Sequence, residues 1–183
     1  MANVMILVAS VRPGRTGLPV AKWVEKEFEG RDVNVDFADL KELDLPFMAE
    51  PNHPAMQEYT FEHTKAWAER VAKTDAFIFV TPEYNHAFTA PLKNAIDYLV
   101  HEWGGKSVAF VSYGGQSAGT RGVSSIAETL AFLGMARTQA NVEIAHPWGD
   151  LSEAGYQPAD AVNDALKATV DEVVAAAKAH AAK

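Results

Sequence analysis

The chain has 183 residues, a length typical of one domain, and it carries a net charge of −8 and no cysteine. The negative charge argues against a broad nucleic-acid-binding surface, because such a surface has to be basic. Without cysteine, the protein has no disulfide framework, iron–sulfur cluster, zinc–thiolate site or cysteine nucleophile. The apolar run at residues 4–9 is too short for a signal peptide or a membrane span. We therefore expect one cytoplasmic domain over residues 1–183.

Apolar runs and amphipathic stretches alternate along the chain. Strands are predicted at residues 4–9, 33–37, 76–80, 107–112 and 137–145. Helices are predicted between and after them, at residues 18–28, 57–73, 91–99, 123–130 and 158–179. Strict alternation with nearly all-apolar central strands indicates a parallel sheet that is covered by helices on both faces.

The predicted fold class is therefore α/β, a three-layer sandwich around a five-stranded parallel sheet. Five strands fit the flavodoxin-like order 2-1-3-4-5, in which a ligand binds beyond the carboxyl ends of the strands. A six-stranded Rossmann sheet is the competing fold, and it needs one more strand than the sequence provides. In the flavodoxin-like order, the loops at residues 10–18, 81–90 and 112–119 emerge at the same edge of the sheet.

The first of these loops has the composition of an anion-binding site. It runs into a predicted helix, and the free N–H groups and the dipole at a helix start favour a negative charge. Ser10 and Thr16 add hydroxyl donors, and Arg12 and Arg15 add charge that suits one phosphate group. The loop matches neither G-x-x-x-x-G-K-[ST] nor G-x-G-x-x-G, which argues against a nucleoside triphosphate or a Rossmann-bound dinucleotide. The same residues also fit a serine cap with solvated arginines.

The other two loops are suited to a flat ligand. Pro82 ends the third strand, because proline cannot continue the ladder of hydrogen bonds, and a polar loop with an aromatic residue follows it. Gly114 and Gly115 follow the fourth strand, and glycine lets the backbone approach a ligand closely. Each loop taken alone also fits an ordinary surface turn.

Together these segments resemble the NADPH-dependent FMN reductase family of the flavodoxin-like superfamily. The matching pieces are Ser10-x-Arg12 with Arg15-Thr16, TPEYN at residues 81–85, PLKNAID at residues 91–97, and Tyr113-Gly114-Gly115 with Gly119. Residues 44–51 are similar to the family's loop before its second helix. The resemblance covers residues 1–144, and the segment from His146 onwards carries no family signature.

The resemblance implies that the chain binds FMN without a covalent bond. It assigns the FMN phosphate to Ser10, Arg12, Thr16, Gly17 and Leu18, whereas Arg15 falls in a variable part of the loop. It assigns the isoalloxazine and ribityl side of FMN to Pro82, Glu83, Tyr84 and Asn85. It assigns the pyrimidine end of the ring to Ser112, Tyr113, Gly114 and Gly115.

The resemblance also implies an enzyme. In that family NADPH or NADH is the co-substrate, and its hydride passes through FMN to a quinone, an azo compound, a flavin or a similar acceptor. This chemistry belongs to the cofactor, so we assign no catalytic residue. The six histidines are scattered without the spacing of metal ligands, so we expect no metal site.

Two other functions are compatible with this fold. A flavodoxin-type electron carrier would bind FMN but lack a nicotinamide site. A non-enzymatic interaction module would bind neither FMN nor a nicotinamide cofactor.

The family resemblance also implies a homodimer or a tetramer. Aromatic residues around the third predicted helix, namely Phe88, Tyr98 and Trp103, fit an interface there, and they also fit a larger core. Residues 45–54, rich in proline, are expected to form a partial cover over the ligand.

Overall fold

The computed structural model describes all residues from 1 to 183. Its strands are β1 Asn3–Val8, β2 Asn34–Asp39, β3 Ala76–Pro82, β4 Ser107–Gly114, β5 Ala136–Arg137, β6 Val142–Ala145, β7 Leu151–Ser152 and β8 Gly155–Tyr156. Its α-helices are α1 Gly17–Lys26, α2 Leu40–Leu43, α3 Glu62–Ala72, α4 Ala90–Asp97, α5 Thr120–Phe132 and α6 Asp160–Ala181. Single 3₁₀ turns occur at Pro54–Met56, His101–Trp103 and Pro147–Asp150.

The main sheet has the strand order β2-β1-β3-β4-β5, and every pairing in it is parallel. Strands β1, β3 and β4 are the central ones, and β3 is buried along its whole length. Because β1 pairs with both β2 and β3, the order reverses between β1 and β3. The flavodoxin-like fold predicted from the sequence is confirmed.

The two faces of the sheet carry separate hydrophobic cores. Successive residues of β1 alternate between them, with Val4 and Ile6 on one side and Met5 and Leu7 on the other. Helices α1 and α6 cover the first face, and α3, α4 and α5 cover the second. This arrangement explains why the central strands are apolar without alternation, since both of their faces are buried.

The last strand position differs from the prediction of one strand over residues 137–145. Two short strands, β5 and β6, share the same edge of β4 and are separated by a loop. In that loop the side-chain oxygen of Asn141 accepts a hydrogen bond from the backbone N–H of Phe110 at 2.8 Å. The Glu172 carboxylate of α6 accepts from the N–H groups of Gln139 and Ala140, at 2.8 and 2.7 Å. Side chains thus replace the backbone pairing that one continuous strand would have made.

Several other boundaries need correction. A short helix that was not predicted, α2, follows β2, and Asp39 caps it by accepting from the Lys41 N–H at 2.9 Å. Helix α3 begins at Glu62 rather than at residue 57. The segment after β6 contains a small antiparallel hairpin, β7–β8, that was not predicted from the sequence.

The aromatic residues predicted to form an interface belong largely to the core. Tyr98 and Trp103 are fully buried, and Trp103 packs with Phe77 at a ring-centroid distance of 5.2 Å. The Trp103 indole N–H also donates to the Ile96 carbonyl at 3.3 Å, so its polar atom is satisfied inside the core. Phe88 is partly buried and packs against the same core. The interface prediction was therefore wrong for Tyr98 and Trp103.

None of the helices combines the length and the apolar character that crossing a membrane would require.

Candidate functional site

The three predicted loops meet in one cavity of about 270 Å³ at the carboxyl edge of the sheet. Ten of the fourteen residues predicted from the sequence line it: Ser10, Arg12, Arg15, Thr16, Pro82, Glu83, Tyr84, Tyr113, Gly114 and Gly115. Four further residues complete the lining: Pro13, Gly14, Pro147 and Trp148. The convergence follows from the parallel sheet, whose strands β1, β3 and β4 all end at this edge.

The remaining four predicted residues lie beside or beneath the cavity. Gly17 is buried at the start of α1, and a Cβ atom there would lie 2.3 Å from the Tyr113 hydroxyl oxygen. Ser112 is buried and donates a hydrogen bond to the Ala118 carbonyl at 2.9 Å. Leu18 lines a different surface groove next to Trp23, and Asn85 is exposed at a turn. Gly17 and Ser112 therefore shape the loops, and Leu18 and Asn85 lie outside the cavity wall.

The start of α1 is open to a ligand. Thr16 is its N-cap residue, yet the Thr16 side chain makes no capping hydrogen bond. The first backbone N–H groups of a helix have no partner within the helix and are typical anion donors. The helix carries no acidic residue in its first turn, so no protein carboxylate there competes for an anion.

The two arginines of the first loop have different surroundings. The Arg15 guanidinium forms a bidentate ion pair with Asp39, in which both side chains are almost completely buried. It also donates to the Ser10 carbonyl at 2.6 Å. Arg12, in contrast, is exposed and forms no ion pair with another residue of the chain. Because the charge of Arg15 is neutralised by Asp39, the free positive charge at this cavity is that of Arg12.

The second loop ends in a tight turn. Tyr84 and Ala87 exchange backbone hydrogen bonds of 2.9 and 3.0 Å, and Asn85 and His86 between them have φ angles of 51° and 65°. Two consecutive positive φ values define a type I′ turn, in which asparagine is among the favoured residues. The Tyr84 hydroxyl lies 3.2 Å from the Ser10 hydroxyl, which ties the second loop to the first.

Glu83 holds the start of α5. Its carboxylate accepts from the Ser117 hydroxyl at 2.8 Å and from the Arg121 N–H at 3.1 Å. Burial alone would raise the pKa of Glu83, but these hydrogen bonds, the nearby charge of Arg121 and a backbone bond from Gly122 lower the pKa on balance. Glu83 is thus a carboxylate that stabilises a helix start, and the absence of a catalytic role for it stays a prediction.

Tyr113 forms the floor of the cavity beside Gly17. It is buried, and its hydroxyl makes no hydrogen bond within the protein. Burial raises the pKa of Tyr113, so the phenol stays protonated at neutral pH. The site therefore contains a buried hydroxyl with an unused hydrogen bond next to the start of α1.

Pro147 and Trp148 are cavity residues that were not predicted from the sequence. They follow β6, and β6 pairs in parallel with the end of β4, so its carboxyl end reaches the same edge of the sheet. The sequence could have pointed to these two residues only through their position, because the residues that follow any strand of this parallel sheet lie at its carboxyl edge.

Of the predicted cover at residues 45–54, Leu45 and Phe47 line a neighbouring cavity of about 500 Å³. Val11 and Pro91 are among the other residues that line it. Asn94 fixes the segment by donating to the Pro46 carbonyl at 2.8 Å and accepting from the Met48 N–H at 2.9 Å. None of residues 45–54 lines the 270 Å³ cavity, and the expectation that they partly cover a bound ligand stays a prediction. The structure also contains no group of three or more His, Cys, Asp or Glu side chains that is arranged to hold a metal ion.

An open helix start beside a glycine-lined cleft, at the switch point of a parallel sheet, is typical of flavodoxin-like proteins that bind a flavin nucleotide. The family model of the NADPH-dependent FMN reductases matches residues 2–149. The chain belongs to this family.

Individual relatives agree with the family assignment. The chain is 44% identical over 121 residues to an NAD(P)H-dependent FMN reductase of Schizosaccharomyces pombe, an alignment that covers 64% of this chain and 60% of the yeast protein. It is 35% identical over 173 residues to an NAD(P)H-dependent FMN reductase of a Nectria species, covering 91% of this chain and 83% of that protein. Among solved structures, the flavoenzyme NAD(P)H:(acceptor) oxidoreductase of Paracoccus denitrificans superposes with a TM-score of 0.80 at 23% identity, covering 98% and 99% of the two chains. This last similarity concerns the fold.

The cap that Glu83 provides generates a prediction about stability. We expect Glu83→Gln to lower the free energy of unfolding at neutral pH, because an ionised acceptor binds N–H groups at a helix start more strongly than an amide does. In the folded protein the pKa of Glu83 lies below its ordinary value of 4.5. Its contribution is therefore complete above that value and is lost as the pH falls through the lowered pKa.

Urea unfolding at several pH values measures this effect. The wild type and the variant should differ most near neutral pH and converge in acid. Glu143→Gln is the matched control, because Glu143 is exposed, and it should leave stability nearly unchanged. A difference between wild type and Glu83→Gln that stays constant down to about pH 3 would contradict the assigned role.

Proposed function

We propose that the chain is an FMN-dependent NAD(P)H oxidoreductase that reduces a small acceptor such as a quinone. The observation that carries the proposal is the 270 Å³ cavity, in which an uncapped helix start lies beside Arg12, the one cation of the loop without a carboxylate partner. Membership of the NADPH-dependent FMN reductase family supports the same activity.

The residues present suit FMN. An anion at the start of α1 would meet the open N–H groups, the Thr16 and Ser10 hydroxyls and the charge of Arg12. A flat ring requires space, and a Cβ atom on Gly115 would have no neighbour nearer than His146 Cε1 at 4.0 Å. The Tyr113 hydroxyl, which has no hydrogen-bond partner in the protein, adds a buried donor next to Gly17 at the start of α1. The donor set therefore fits a phosphate at one end of the cavity and an aromatic ring at the other.

Bound FMN would supply the redox chemistry, since it accepts a hydride from NAD(P)H and passes electrons to the acceptor. The chain supplies binding and position. Arg12 and the start of α1 hold the phosphate, and the ion pair between Arg15 and Asp39 keeps the loop in the conformation that presents them. The Glu83 carboxylate is held by hydrogen bonds from Ser117 and Arg121, and burial raises the pKa of Tyr113, so we assign proton transfer to neither residue.

The role of Arg12 generates a prediction about FMN affinity. Arg12→Ala should weaken FMN binding about tenfold to a hundredfold, because a hydrogen bond to a charged group is worth about 1.5–3 kcal/mol. Isothermal titration of the flavin-free protein with FMN measures the dissociation constant. Arg137→Ala removes an exposed arginine remote from the cavity and should leave the affinity unchanged. Equal affinities of Arg12→Ala and wild type would remove the phosphate assignment.

Steady-state kinetics test the activity itself. In the absence of oxygen, the purified protein, loaded with FMN, should oxidise more than one equivalent of NADPH or NADH only while an acceptor such as a quinone is present. Because nicotinamide and acceptor would use the same open face of the ring in turn, double-reciprocal plots should be parallel. Intersecting plots would contradict a shared site. A flavin that NAD(P)H does not reduce would favour the electron-carrier alternative, and a protein that binds no flavin would favour the interaction module.

We also propose that the chain forms a homodimer or a tetramer built from two dimers. The basis is a set of exposed apolar side chains on the segment before α3, where Phe47 is 84% and Met56 is 57% exposed. Aromatic residues and methionine are enriched at the centres of protein interfaces. Sedimentation equilibrium at micromolar concentration should show a species of at least twice the chain mass of 19.8 kDa, and a monomer alone would contradict the proposal.

A further inference from the structure

Trp148 places an exposed indole ring on the wall of the 270 Å³ cavity. Seven large apolar side chains of the protein are appreciably exposed: Met1, Phe47, Met48, Met56, Phe61, Phe132 and Trp148. Trp148, which is 58% exposed, is the one among them that lines the cavity formed by the three loops. Tryptophan with so much free surface at the rim of a ligand cavity is an unusual use of a residue that folding normally buries.

The backbone before Trp148 is held in a strained conformation. His146 has φ 51° and ψ 49°, which is the left-handed region, and a residue other than glycine adopts it at an energetic cost. The His146 N–H donates to the Gly114 carbonyl at 2.8 Å and the Gly149 N–H donates to the His146 carbonyl at 3.1 Å. The His146 and Trp148 rings pack edge to face with centroids 5.2 Å apart. These contacts fix the indole relative to the end of β4.

The chain after Trp148 is anchored as well. The Gln157 N–H donates to the Asp150 carbonyl at 2.9 Å, which closes the β7–β8 hairpin onto the turn that carries Trp148. Tyr156 of this hairpin is buried and packs edge to face on Trp23 of α1, with ring centroids 5.2 Å apart. Trp148 is thus presented from a segment that is fixed at both ends, and this rigidity lowers the entropy lost when the indole makes a contact.

The neighbours of this segment belong to the ring end of the cavity. His146 touches Gly114 through its backbone, and its Cε1 atom would be the nearest neighbour of a Cβ atom on Gly115, at 4.0 Å. No hydrogen bond joins residues 146–149 to the first loop, where the phosphate is assigned. An aromatic side chain placed here meets a flat ring ligand, and stacking between aromatic rings is favourable whatever the polar substituents of the ligand are.

We propose that Trp148 packs its indole against the isoalloxazine ring of FMN and is a binding residue of the site. The proposal rests on the proposed function, because it takes FMN as the ligand. The segment after β6 would then increase the affinity for flavin by contacting the ring of FMN and not its phosphate.

Titration of the flavin-free protein with FMN tests the proposal. Trp148→Ala should weaken FMN binding about tenfold to a hundredfold, the range for removing one aromatic stacking partner. Trp148→Phe should restore most of the affinity, because phenylalanine keeps an aromatic face. Phe132→Ala is the matched control, since Phe132 is also exposed and does not line the cavity. All three variants should keep the thermal unfolding midpoint of the wild type without flavin.

A second titration with riboflavin, which lacks the phosphate, locates the contact. Trp148→Ala should weaken FMN and riboflavin binding by the same factor, whereas Arg12→Ala should weaken FMN binding alone. Wild-type affinity in Trp148→Ala, or a loss limited to FMN, would overturn the proposal and leave the proposed function standing. If neither the wild type nor Phe132→Ala binds FMN, the proposed function itself fails.

Discussion

The buried ion pair between Arg15 and Asp39 is the constraint on which the ligand edge depends. Asp39 ends β2 and caps α2, while Arg15 belongs to the loop after β1 and also binds the Ser10 carbonyl. One bidentate contact therefore sets the position of the loop relative to the sheet and removes one of its two positive charges. Because an unpaired charge in such a place is strongly unfavourable, either side chain depends on the other. The consequence is a loop that is rigid and presents Arg12 alone.

Residues that resemble catalytic groups in the sequence have structural roles at this edge. Glu83 stabilises the start of α5, Tyr84 bridges two loops, and Tyr113 fills the floor against Gly17. Such a division is expected where a cofactor carries the chemistry, because the protein then has to supply geometry rather than proton transfer. Glycine and aromatic side chains therefore share the lining of the cavity with the polar side chains of the first loop.

The order of strands and the meeting of three loops could be predicted because both depend on hydrophobic periodicity and on the geometry of parallel sheets. Other features depend on tertiary contacts that leave no local pattern. The family resemblance separates Arg12 from Arg15, but no local pattern shows that Arg15 pairs with Asp39 at the end of β2. Tyr98 and Trp103 look like surplus aromatics, yet the core on one face of the sheet is large enough to bury them. The site residues assigned by family resemblance remain predictions, and Trp148 had no motif to mark it.

The divided last strand has a consequence for the solubility of the protein. An open sheet edge exposes unpaired N–H and C=O groups and is a template for strands from other molecules. Here that edge consists of pieces of two and four residues, and Glu172 of α6 occupies the N–H groups of the loop between them. A foreign strand would find no continuous row of free donors along β5 and β6. Edge-to-edge growth into a fibre is thus disfavoured at this side of the sheet by the irregularity that made the strand hard to predict.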